Sequence, residues 1–269
     1  MKNWFRSKFR MIELRSPQEI EQMRPAGQFI GEVLTACREA ARPGVNLLEL
    51  DALAHQMIKR RGATSCYIDY HPSFGAMPFG KVICTSVNDA VLHGLPHDYT
   101  LQDGDLLSID FAASVNGWVG DSALSFVVGT APDPARYEAD MKLIRTTEEA
   151  LEAGIRAAVV GNKVGDIGAA IAAIGHAAGY EINTDFGGHG VGRTMHGEPH
   201  VPNNGRPGRG FTLRPGLVIA IEPWFLETTA EIYTDDDGWT LRSMDGSRGA
   251  HSEHTIAITP DGPVVLTAR

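Results

Sequence analysis

The chain has little cysteine: Cys37, Cys66 and Cys84 are the only three in 269 residues. An odd number without finger-like spacing excludes a disulfide framework and a structural zinc knot, and fits a reducing cytoplasm. Positive charge is also short. Twenty-four lysines and arginines stand against 33 acidic residues, a formal net charge of −9, which argues against nucleic acid or an anionic membrane as the main partner. No segment approaches the roughly 18 apolar residues of a membrane span. The first ten residues, MKNWFRSKFR, are basic but lead into no apolar run, so they lack the core of a secretory signal. They read as a short basic arm over 1–10, with Met1 or Met11 as the start. No Pro/Gly/Ser-rich linker follows, and 11–269 reads as one domain.

What the chain does have is a repeat. HGLPH stands at 93–97 and HGEPH at 196–200. TLQDGDLLSIDFAA (100–113) aligns with TLRPGLVIAIEPWF (212–225), which sets Asp110 on Glu222, 112 positions on. GVNLLELDALAHQMIKRRG (44–62) aligns with GNKVGDIGAAIAAIGHAAG (161–179) at a spacing of 117; both carry apolar residues at helical intervals and end in Gly, a favoured helix stop. Three matches in one order predict two related halves, roughly 11–135 and 136–269, packed about a pseudo-twofold axis.

Strand signals place the acids. LLSIDFAASV and WVGDSALSFV flank Asn116-Gly117, a strong two-residue hairpin signal. That turn sets Ala112 opposite Asp121, so Asp121 shares a face with Asp110 as its diagonal neighbour, with Cα atoms roughly 7–8 Å apart. Two acids on the inner face of apolar strands need a cation. In the second half Glu222 ends LVIAIE and Glu253 opens a strand. The repeat expects them to stand to each other as Asp110 stands to Asp121. His189 lies among glycines in FGGHGVGR, which do not make a nucleotide-binding fingerprint and read instead as close backbone approach. Asp235, Asp236 and Asp237 before Gly238 read as a solvated turn, because the later ligands of a calcium loop are missing.

Asp110, Asp121, His189, Glu222 and Glu253 therefore form the candidate ligand set. Four carboxylates and one imidazole suit two divalent ions sharing bridging carboxylates. Oxygen-rich ligation with one nitrogen points to Co, Mn, Fe or Zn without choosing among them.

Read together, CTSVNDAVLHGLP, IDFAASVNGWVGDSA, GGHGVGRTMHGEPHVPN, IEP and SEHT make the chain similar to the bacterial type I methionine aminopeptidases, from about Met11 to Pro263. The short gap from His196 to Glu222 favours type I over type II. The resemblance implies an α+β pita-bread fold: a curved, mostly antiparallel sheet covered by helices, in two pseudo-twofold halves. It implies two metals on the five ligands above and removal of N-terminal methionine from nascent proteins whose second residue is small and uncharged. Water activated between the metals would attack the first peptide carbonyl, with Glu222 accepting its proton. His93 and His196 would flank the substrate, one from each half, and His97 and His200 are read as loop residues. Cys66, Phe79, Cys84 and Trp239 would surround the methionine side chain. The loop 69–81 looks longer than usual, and Met195 stands where an aromatic is common. The expected partner is the N-terminus of a nascent polypeptide in the cytoplasm, with the ribosome as one place of encounter, and the protein acts as a monomer. Two other readings stay open: a prolidase or Xaa-Pro-type peptidase on the same fold, and an inactive peptide-binding module.

Overall fold

Helix start and stop signals in the sequence set the outer layer. The computed structural model of the protein describes residues 12–72 and 77–269; the expected basic arm at 1–10 lies outside them. Helix α1 runs Pro17–Ala40, α2 Leu47–Arg61, α3 Pro134–Ala157 and α4 Val164–Ala178. Helices α1 and α3 open on a proline, whose fixed φ suits the first turn, behind the capping side chains of Ser16 and Asp133. Helices α2 and α4 stop at Gly62 and Gly179, both left-handed. These last two are the helices expected at 44–62 and 161–179. The α1/α3 pair, 24 residues each, repeats at the same spacing and was missed in the sequence.

The helices cover one antiparallel sheet of nine strands. Its main order is Thr64–Ser65, Leu106–Val115, Trp118–Val127, Glu253–Thr259, Val218–Ile221, Gly188–Gly190 and Gly197–Val201. Cys84–Val87 also pairs with the Leu106 strand, and Gly262–Val265 with the Glu253 strand. Helices α1 and α2 bury Phe29, Ile30 and Leu50 against Leu107, Ile109 and Phe111. Helices α3 and α4 bury Leu143, Leu151 and Ile171 against Ile219, Ile221 and Ile256. Each helix pair thus hides one outer face of the sheet from water, the dominant favourable term in folding. A third cluster, including Tyr67, Phe79, Met195 and Trp239, lies between the two on the inner side.

Backbone pairing repeats with the sequence. The bridge between Asn46 and Thr100 recurs between Lys163 and Thr212. Val87 pairs with Leu107 as Gly190 pairs with Ile219. That second match sets Val87 on Gly190 at a spacing of 103, the same spacing that sets His93 on His196. The two pentapeptides therefore leave equivalent strands, although HGLPH continues as a loop while HGEPH runs into the strand Gly197–Val201. Among the described residues, no helix is long and apolar enough to cross a membrane.

Candidate active site

The hairpin turn at Asn116 and Gly117 has both residues at positive φ, and Val115 faces Trp118. Ala112 then faces Asp121 and Asp110 faces Ala123, the register expected from the sequence. On its other edge Ala123 faces Glu253, so Asp110, Ala123 and Glu253 lie abreast across three strands. Asp121 sits two residues along on the same face. Its backbone is clamped by Thr255, whose hydroxyl accepts from Asp121 N at 3.0 Å and donates to Asp121 O at 2.8 Å.

The second half departs from the expected copy. Ile258 N donates to Leu217 O as Val128 N donates to Asp105 O, which makes Ile258 the counterpart of Val128. Both ladders run regularly from there, so the counterpart of Asp121 is residue 251, not Glu253. The last pair before Glu222 is Ile221 with His254, so Glu222 comes level with Glu253 rather than diagonal to it. The diagonal relation read from the repeat is therefore corrected: the second acid has moved two residues along its strand, and His251 stands in the vacated place.

His189 projects from the strand Gly188–Gly190. A Cβ at Gly188 would lie 2.2 Å from Ala220 O and one at Gly190 would lie 2.1 Å from Glu198 O. The glycines thus let two neighbouring strands close on His189. Its Nε2 lies 3.7 Å from Asp121 and 3.6 Å from Glu222. Its Nδ1 is 3.1 Å from Gly190 O, which, as acceptor, holds the proton on Nδ1 and turns an unprotonated Nε2 toward the acids.

Donor atoms converge in overlapping groups, each within 4.8 Å: Asp110, Asp121 and Glu253; His189, Glu222 and Glu253; and Asp121, His189 and His196. Asp121 and Glu253 are 3% and 2% exposed. Among the described residues, no lysine or arginine forms an ion pair with any of the four acids. Burying a carboxylate this way costs several kcal/mol per ion, of order 3–5 when a partner is lacking. The donor set, the burial and the missing countercharge together fit divalent cations.

The electrostatics say the same. Burial lifts the Glu222 carboxyl to about 8, with the charge of Asp110 adding to it. Burial lifts Asp110 to about 6, opposed by the hydrogen bond from Tyr67. Burial first, then the neighbouring acids, push Asp121 and Glu253 well above the usual carboxylate range. Burial lowers His189 to about 3, helped by His196. Without a cation the cluster holds protons.

A cavity of about 320 Å³ opens onto these groups. His93 and His196 both line it. His93 has φ of 54°, a left-handed conformation that a non-glycine residue adopts at a cost, and its ring meets Phe186 edge-on at 5.2 Å. The His196 ring is 4.4 Å from that of His189, and Tyr70 Oη lies 3.1 Å from His196 Nδ1. Phe79, Cys84 and Trp239 line the cavity, with Phe79 and Trp239 edge-on at 5.2 Å. Cys66 does not: it faces an outer groove, and its neighbour Tyr67 takes the wall. The reason is local. Tyr67 N and Ile68 N both donate to Ser65 Oγ, and the turn this makes points consecutive side chains to opposite sides.

Tyr67, Tyr70 and Phe186, which the sequence did not single out, line the cavity, as do Met195, noted in the sequence for its place, and His200, read there as a loop residue. His97 does stay in its loop, its Nδ1 2.9 Å from Leu95 O. His251 is buried, and among the described residues its Nε2 has no hydrogen-bond partner; it lies 3.9 Å from Glu222 and 4.0 Å from Glu253. The aspartates at 235–237 form the expected turn, with Asp237 Oδ1 accepting from Trp239 N and Thr240 N and so fixing Trp239 against the cavity. The neck of the loop 69–81 is closed by Phe79 N donating to Tyr70 O and Gly80 N to Ile68 O.

Comparison with known proteins follows from this geometry. Metallopeptidase family M24 matches residues 21–260. A methionine aminopeptidase of Clostridium perfringens is 44% identical over 258 residues, covering 96% of this chain and 99% of its own. Methionine aminopeptidase 1 of Mycobacterium tuberculosis is 43% identical, covering 96% of each chain. The solved methionine aminopeptidase from Rickettsia prowazekii superposes with a TM-score of 0.90 at 34% identity, over 96% of this chain and 100% of that one. Prolidase from Pyrococcus furiosus superposes at 0.72, covering 95% of this chain and 65% of that one; at 21% identity it shows the fold alone. All share the pita-bread architecture expected from the sequence.

Proposed function

The chain belongs to metallopeptidase family M24, among its methionine aminopeptidases, and we propose that its inner cavity removes N-terminal methionine from nascent polypeptides whose second residue is small and uncharged. The observation that carries this reading is the convergence of three buried carboxylates, the half-buried Asp110 and one imidazole, with no lysine or arginine ion-paired to the acids among the described residues, at one end of an aromatic-lined cavity. Asp110, Asp121 and Glu253 would hold one divalent ion, and His189, Glu222 and Glu253 a second, with Co, Mn, Fe and Zn all suited to the donors. Two such ions supply, when bound, a Lewis acid for a carbonyl and a water made nucleophilic near neutral pH.

The chain's own groups do the rest. Glu222 accepts the proton of the attacking water and returns it to the leaving amine. With Tyr70 Oη as donor across its 3.1 Å contact with His196 Nδ1, the imidazole proton sits on Nε2, where it can meet the peptide. His93, held neutral by burial, which lowers it to about 4, approaches from the other half. Phe79, Cys84 and Trp239 enclose the methionine side chain, sulfur and aromatic faces being good partners for a thioether. Tyr67 joins that wall in place of Cys66. The protein is proposed to work as a monomer in the cytoplasm, meeting its substrates at the ribosome among other places.

The test is methionine release from Met-Ala-Ser by metal-stripped protein given back Co, Mn, Fe or Zn in turn. Metal-dependent release, with little cleavage of Met-Leu or Ala-Pro peptides, is expected. Preferred cleavage of Ala-Pro would move the chain to a proline-specific peptidase. Peptide binding without release under any metal would make it a binding module.

A further inference from the structure

The two groups of acids are not braced alike, and the difference falls on Tyr67. Its ring is buried, 7% exposed, and packs edge-on against Phe79 at 5.7 Å. Its hydroxyl lies 2.6 Å from Asp110 Oδ1 and 3.4 Å from Asp121 Oδ1. A phenol has one proton to give, and the short contact assigns it to Asp110. The oxygen's lone pairs then face Asp121, and once Asp121 is ionised the two acceptors are relieved by a cation near both. Among the described residues outside the acid cluster, Tyr67 is the only hydroxyl or N–H donor on the Asp110 side chain; its other hydrogen bond is with Asp121, a fellow acid. Tyr67 in turn is fixed from below, its N donating to Ser65 Oγ at 3.1 Å and its carbonyl accepting from Tyr70 N at 2.8 Å. The group containing His189 is braced differently, through the contact of Nδ1 with Gly190 O.

We propose that Tyr67 is a positioning residue that sets the cation affinity of the Asp110–Asp121–Glu253 pocket, making it unequal to the pocket that contains His189. The proposal rests on the two-ion reading above. A carboxylate binds a cation well when its oxygens are already aimed, and Asp110 loses its aim when its one bond from outside the acid cluster goes. Loss of such an outer partner costs ~10–100-fold in metal affinity. The short bond of Tyr67 goes to Asp110, which belongs only to the group without His189, so its effect falls on that class of site.

The experiment is titration of the metal-stripped full chain with Mn²⁺, following free Mn²⁺ by electron paramagnetic resonance, for wild type, Tyr67→Phe and His189→Ala. Phe keeps the ring against Phe79, so the thermal midpoint of the stripped variant should match wild type. Tyr67→Phe is expected to weaken one class of site ~10-fold or more and leave the other unchanged, while His189→Ala weakens the other class. Unchanged affinity at both sites in Tyr67→Phe would overturn the proposal and leave Tyr67 a core residue with a convenient acceptor. Equal weakening at both, or loss in the same class that His189→Ala affects, would overturn it as well. Fewer than two Mn²⁺ on wild type would instead overturn the two-ion reading, and this proposal with it.

Discussion

Where the two halves of the protein are compared element by element, they agree in the scaffold and part company at the ligands. Asn46 and Lys163 bridge to Thr100 and Thr212 in the same way, and α2 and α4 stop on left-handed glycines. Yet Asp110 and Asp121 are joined by a two-residue turn, while the segment 222–252 runs between Ile221 and Glu253. That long excursion shifts the second acid two residues along its strand, brings His251 into the place of Asp121, and delivers Trp239 to the cavity wall. The lesson is that pairing and packing tolerate duplication, because each half can bury its own helices. The candidate ligands do not follow it: an all-carboxylate group beside one with an imidazole gives two unlike candidate cation pockets.

The sharpest way to break the comparison is to remove a ligand from the more regular half. Asp110→Ala should abolish methionine release while the stripped protein melts no earlier than wild type, since one of several mutually repelling buried acids is gone. Turnover in that variant would refute the ligand assignment. Next come the histidines. His93→Ala and His196→Ala should retain metal and lose kcat by ~10²-fold or more, as for loss of a group that stabilises developing charge. His189→Ala, although its ring is only 4.4 Å from that of His196, should lose metal. Metal analysis beside kcat separates the three; metal loss from His93→Ala would show that the first half supplies a histidine ligand as well as its two acids.

A smaller effect appears in pH. The Glu222 carboxyl, lifted to about 8 in the fold, keeps a proton that the unfolded chain releases near its ordinary 4.5. The stability that Glu222 lends the stripped protein therefore falls as pH rises through that interval and is gone above 8, with Asp121 and Glu253 acting in the same direction. Asp110, at about 6, acts in the same direction. The histidines lowered to about 3 or 4 act oppositely, but only below their ordinary 6.5, where the unfolded chain gains their protons. From pH 6.5 to 8 the stripped protein should thus lose thermal midpoint while the metal-loaded protein does not. Parallel curves would contradict the charge account of the site.

The smallest contrast sits in the twin His-Gly steps. A Cβ on Gly94 would lie 2.2 Å from Thr85 O, whereas one on Gly197 would lie 3.3 Å from Gly190 O. Gly94→Ala should cost ~1–3 kcal/mol by overpacking, and Gly197→Ala within about 0.5 kcal/mol of nothing. Equal losses in denaturant melts would mean that the two steps are packed alike in solution.

Much of this was legible beforehand because it is local. Capping residues, glycine stops and the Asn116-Gly117 turn act within a few residues, and the turn alone carried the hairpin register to Asp110 and Asp121. Cys66 and Tyr67 show the limit. Adjacent residues in a turn point opposite ways, and only Ser65 decides which of them faces the cavity. His251 gave no signal at all, since its importance comes from a register offset between distant strands. Helices α1 and α3 were overlooked because their shared feature is length and capping rather than matching residues.

The sequence by itself determined the two-half scaffold and the acids and histidine that converge, because each rests on short-range stereochemistry or on a pattern written twice. Tertiary structure alone decided how unlike the two halves become at the site: which acid lies level with which, that Tyr67 rather than Cys66 reaches the carboxylates, and that His251 lies buried beside Glu222. Those outcomes depend on how strands far apart in the chain slide against one another, and a slide of two residues keeps the same faces inward while changing every neighbour.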